Sequence, residues 1–109
     1  MNKMEIEERI QQQISNSEIS SWHGISKDNI GKYLVEPKKI QFKNAYDEKV
    51  NEYWVVLDED YTDATEGYQI IYDEGQNVFG LATKTSIVSK EIGVAIGFYG
   101  SFIDALNSM

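Results

Sequence analysis

Few side chains in this chain have the type and spacing to do chemistry, and they fall in two places. The first is His23, the one histidine among 109 residues that include no cysteine. Without cysteine there are no disulfides, thiolate metal sites or thiol nucleophiles. A lone histidine acting as a base needs an orienting carboxylate and a nucleophile beside it, and Trp22-His23-Gly24 reads instead as a turn anchored by tryptophan. The second place is the run Asp58-Glu59-Asp60-Tyr61-Thr62-Asp63, with Glu66 just beyond. Oxygen ligands at alternate positions begin a calcium loop, but that loop needs glycine at its sixth position and glutamate at its twelfth. Asp63 and Gln69 stand there instead. Gly93, Gly97 and Gly100 lack the spacing and the lysine of a phosphate loop. Carboxylate pairs among Asp58, Asp60, Asp63 and Glu66 are conceivable for acid–base work, but a hydrated acidic loop is the simpler reading. The expectation is a protein without cofactor, metal or catalytic site.

Charge says more about partners. The net charge is −8, and it is concentrated. Residues 1–46 carry 7 basic and 6 acidic side chains, residues 47–76 carry 1 and 10, and residues 77–109 carry 2 and 2. Such a balance opposes nucleic acid, whose phosphates need a basic surface. It suits a basic protein partner steered by opposite charge. The first residues lack a signal-peptide core, and no stretch approaches the roughly 20 apolar residues of a membrane span. A cytoplasmic protein with no membrane partner is expected.

The elements that must position these residues centre on residues 51–84. Tyr53-Trp54-Val55-Val56-Leu57 is aromatic and β-branched throughout, as a buried strand requires. Alternation places Tyr53, Val55 and Leu57 on one face, with Trp54 and Val56 on the other beside Ile71. Residues 68–72 and 78–83 form a hairpin across Asp73-Glu74-Gly75-Gln76, with Gly75 expected in the left-handed region that closes a type I turn. Gly80 marks a bulge or a close backbone approach.

Before this core, Ile6, Ile10 and Ile14 recur at helical spacing and predict an amphipathic helix over residues 3–16. Ser26 is placed to cap a short helix over residues 27–33, stopped by Glu36-Pro37. Residues 39–46 alternate as a lysine-bearing strand at or beside a sheet edge. After the core come a polar loop over residues 85–91 and a glycine-containing strand over residues 92–98. A final helix follows, with Ser101 as N-cap, Asp104 three residues on, and Phe102, Ile103 and Leu106 buried.

The fold expected is a single α+β domain over residues 1–109. A four- or five-stranded antiparallel meander carries N-terminal and C-terminal helices packed on one face. Apolar side chains on both sheet faces leave a choice: the sheet curls around one set, or another molecule covers it, a homodimer partner included.

The segments GYQIIYDEGQNVFGLATK and IGFYGSFIDALNSM, ending in Ser101, Phe102 and Leu106, resemble the C-terminal part of small bacterial immunity proteins of the SUKH group. The similarity covers about a third of the chain. It implies a cytoplasmic protein that neutralises a toxin by tight binding, without catalysis. The partner-binding residues proposed on charge and aromatic character are Asp58, Glu59, Asp60, Tyr61, Asp63, Glu66 and Trp54. The competing reading is a homodimeric small-ligand-binding module.

Overall fold

The computed structural model describes residues 2–16, 30–58, 68–83 and 93–108. Helix α1 spans Lys3–Asn16 and buries Ile6, Ile10 and Ile14, the stripe that its sequence marks. A single 3₁₀ turn, Ile30–Lys32, precedes strands β1 (Leu34–Asn44), β2 (Val50–Asp58), β3 (Tyr68–Asp73), β4 (Val78–Thr83) and β5 (Gly93–Gly100). Helix α2 (Phe102–Asn107) ends the chain's described part. This is the expected α+β meander, each strand antiparallel to the next.

The meander also closes on itself. Phe42, Lys43 and Asn44 of β1 pair in parallel with Gly93, Val94 and Ala95 of β5, giving a five-stranded barrel. One core cluster draws on every strand: Phe42, Tyr53, Val55, Ile71, Ala82 and Ala95. Its small members belong to β4 and β5, and an added Cβ on Gly93 would lie 2.9 Å from the Phe42 ring. A barrel of so few strands has little interior to fill, so small residues are needed where the seam closes. The second cluster lies on the opposite sheet face, where α1 and α2 cover Val56, Leu57, Ile70, Tyr72, Phe79 and Leu81. Curling of the sheet, not a second molecule, therefore covers the face that the helices leave.

Several local expectations change. Ile71 pairs with Val55 and shares the interior, away from Trp54 and Val56. A register shift between Val55 and Leu57 turns Leu57 to the helix-covered side with Val56, so strict alternation fails there. Pro37 lies inside β1, which starts at Leu34 rather than residue 39. The ladder to β2 shifts between Leu34 and Lys38, a place where a residue without an N–H is tolerated. In the β3–β4 turn the left-handed residue is Asn77 (φ 56), not Gly75. Asp73 Oδ1 accepts from the backbone N–H groups of Gly75 (3.0 Å) and Gln76 (3.3 Å), which holds the turn without a left-handed glycine. Strand β5 runs to Gly100, two residues beyond its expected end. The loop over residues 85–91, residues 27–29 of the expected short helix, and Trp22-His23-Gly24 lie outside the described residues.

The expected cap of α2 is present, since Ser101 Oγ accepts from the Asp104 N–H at 3.0 Å. Phe102, Ile103, Ala105 and Leu106 are buried beneath it. A second cap comes from α1, where Gln13 Oε1 accepts from the N–H of Phe102 at 2.7 Å. Two helices distant in sequence are thereby fixed to one another on the same sheet face.

Candidate functional site

The two-residue excess of β1 at Pro37 has a consequence for the surface. Leu34 pairs with Leu57 and Lys38 with Val55, so Val35, Glu36 and Pro37 bow out of the ladder. Helix α1 rests beside them, and a groove of about 330 Å³ is left between helix and strand. Its floor is apolar, from Ile10, Leu34, Val35, Pro37 and Val56, while Glu7, Gln11 and Glu36 supply the polar atoms. Lys3 Nζ donates to Glu36 Oε1 at 2.7 Å. That bond, with the ammonium charge, holds the Glu36 carboxyl below its ordinary range.

Of the residues proposed to bind a partner, the structure describes two, and it separates them. Asp58 ends β2 beside the groove: its N–H donates to the Tyr33 carbonyl at 2.9 Å, and Val56, two residues earlier, lines the groove. Asp58, the first residue of the acidic run, is therefore held beside Tyr33, at the start of β1. Glu59, Asp60, Tyr61, Asp63 and Glu66 lie outside the described residues. Trp54 is four residues from Asp58, about 13 Å along an extended strand. It pairs with Tyr72, at the side of the β3–β4 turn. Its Nε1 donates to Glu74 Oε2 at 3.4 Å, and Lys39 Nζ sits 5.1 Å from its ring. Lys39 and Glu74 also approach to 3.9 Å, so the half-buried ring belongs to a small cation–aromatic–carboxylate cluster.

Two further polar groupings serve the fold. Tyr72 packs against Phe79 in a tilted arrangement with centroids 4.5 Å apart, accepts from Arg9 Nη1 at 2.9 Å, and donates to Asn77 Oδ1 at 2.7 Å. Arg9 also reaches Asn77, so α1 is tied to the β3–β4 turn. Inside the barrel the Tyr53 hydroxyl donates to Asn44 Oδ1 at 2.7 Å. Burial pushes both tyrosine hydroxyls above their ordinary range, with the Asn44 bond opposing this at Tyr53 and the Arg9 charge opposing it at Tyr72.

Among the described residues no three of His, Cys, Asp and Glu are gathered to hold a metal ion, and no helix is long and apolar enough to cross a membrane. No protein-family model matches the chain, and no curated protein or solved structure does. Sequence reasoning missed Glu7, Ile10 and Glu36 as site residues. Glu7 read as the solvated side of a helix and Glu36-Pro37 as a helix stop, because the bowed strand that unites them has no local signature.

Proposed function

We propose that this chain is a non-enzymatic cytoplasmic binding domain that holds a basic protein partner, as a toxin-neutralising immunity protein does. One juxtaposition carries the reading. A groove with an apolar floor and two carboxylates at its walls, Glu7 and Glu36, opens beside Asp58, where the most acidic stretch of the chain begins. A lysine or arginine side chain fits such a place, with its aliphatic stem on the half-buried Leu34 and Val35 and its charge near Glu7 and Glu36, sharing Glu36 with Lys3. The acidic residues that follow supply steering toward a basic surface. The same groove lies at the small end of the roughly 300–1,000 Å³ typical of ligand pockets, so a small amine is the second occupant to consider.

The test is affinity capture from host lysate on the immobilised protein, beside the variant carrying Glu7→Gln, Glu36→Gln and Asp58→Asn. The expected outcome is one basic protein, retained stoichiometrically by the native chain, with recovery on the variant at least tenfold lower. Equal recovery on both would remove the groove from the account. Recovery of none, with a small amine bound in native mass spectrometry, would favour the second occupant.

A further inference from the structure

Closure of the barrel is brief, and it leaves strand edges that differ in character. The β1–β5 ladder covers three residue pairs, ending at Asn44 and Ala95 with one more bond from the Ala45 N–H to the Ala95 carbonyl. Beyond it, β5 continues from Ile96 to Gly100 with its outer edge facing no strand among the described residues. The edge of β1 before Phe42, which on that side also pairs with no strand among the described residues, carries Pro37, Lys38 and Lys39, devices that discourage another strand from adding. Residues 93–103 contain no charged residue and no proline.

Two side chains on this edge, Ile96 and Tyr99, are exposed, while Phe98 packs against the barrel interior. Register shifts in the β4–β5 ladder leave Ile96 unpaired between Ala95 and Gly97, and Tyr99 unpaired between Phe98 and Gly100. Such bulges re-aim side chains, and Ile96 and Tyr99 are 43% and 40% exposed. Five large hydrophobic residues are exposed among the described ones: Met4, Tyr46, Val50, Ile96 and Tyr99. Ile96 and Tyr99 lie on this edge, Tyr46 follows Ala45 at the end of the closing ladder, and Val50 shares a cross-strand row with Lys43 and Val94.

We infer that the β5 edge is a self-association surface, on which a second copy of this chain adds its own β5 antiparallel across a two-fold axis. Charge selects that occupant. A basic partner gains nothing from a neutral, aromatic edge, and two copies of a chain of net charge −8 repel wherever their acidic segments meet. Strand β5 is neutral throughout, so its edge is a place where like copies approach without that penalty, and an antiparallel strand pair is self-complementary. This surface adjoins the C-terminal end of β1, whereas the groove lies at the N-terminal half of β1, so the inference stands independently of the proposed partner.

Sedimentation equilibrium tests it at about 10–200 µM, spanning the weak dimers that a short edge supports. The native chain is expected to form a dimer, Ile96→Lys to raise its dissociation constant at least tenfold, and Met4→Lys to leave it unchanged. Circular dichroism confirms that each variant is folded, and Tyr99→Glu substitutes for Ile96→Lys if that variant is not. The absence of native cysteine permits a single spin label at Ile96→Cys. Pairing over a five-residue edge displaces the two labelled backbones by at most about 17 Å along the strands. A distance well under 30 Å supports the edge pairing. A monomeric native chain, a dimer indifferent to Ile96→Lys and Tyr99→Glu, or labels farther apart would overturn it.

Discussion

Burying Asn44 beside the Tyr53 hydroxyl makes each depend on the other. Tyr53→Phe leaves the Asn44 side chain, 1% exposed and with Nδ2 already unpartnered among the described residues, without its one hydrogen bond. A loss of about 1–3 kcal/mol in urea unfolding is expected. Adding Asn44→Val should cost less than the sum of the two single changes, because the stranded amide is then gone. The raised tyrosine values give a pH dependence of definite sign. A hydroxyl whose folded value lies above its unfolded value of about 10 contributes stability fully below that pH and loses it as pH rises toward the folded value. Stability should therefore fall above about pH 10, with Tyr53 and Tyr72 ionising late in absorbance at 295 nm, together with unfolding.

At the scale of elements, helix α2 has six residues, too few to persist without tertiary support. Gln13 and Ser101 accept from its first N–H groups. Gln13→Ala should cost about 1 kcal/mol and speed hydrogen exchange at Phe102 and Ile103, while Ile10→Ala in the core beneath α1 should cost about 2–5 kcal/mol. The elements legible from sequence were those with complete local signals. The isoleucine stripe marks α1, the aromatic and β-branched run Tyr53–Leu57 marks β2, and Ser101 with Asp104 marks the start of α2. Where a local rule yielded to packing, the sequence misled. Pro37 reads as a stop, yet it sits in a bowed strand; Gly75 reads as the left-handed residue, yet Asn77 takes that conformation while its side chain joins Tyr72 and Arg9. The groove went unseen for the same reason, since Glu7 and Glu36 meet only through tertiary structure.

For the molecule as a whole, the closing contact is what no local pattern announces. Phe42–Asn44 and Gly93–Ala95 are some 50 residues apart in the chain, and parallel pairing leaves no turn to mark it. Gly93→Ala tests it, because the added methyl would meet the Thr83 carbonyl and the Phe42 ring. A loss of about 1–3 kcal/mol, the usual cost of overpacking, is expected in thermal or urea unfolding. Closure also explains how a sheet apolar on both faces needs helices on only one. The surface that results is divided: a groove with carboxylate walls beside Asp58 at one end of β1, and a neutral open edge on β5 at the other.

The central claim is that charge brings a basic protein to the groove and the acidic residues beside it. The most direct measurement is the affinity of the captured complex as a function of salt, for the native chain and for Glu7→Gln/Glu36→Gln/Asp58→Asn. The account predicts that native affinity falls at least tenfold between 50 and 500 mM salt, mainly through a slower association rate, as screening shortens the reach of charge from about 14 Å to about 4 Å. The variant should begin weaker and respond less. An affinity indifferent to salt, and equal in the two proteins, would contradict it.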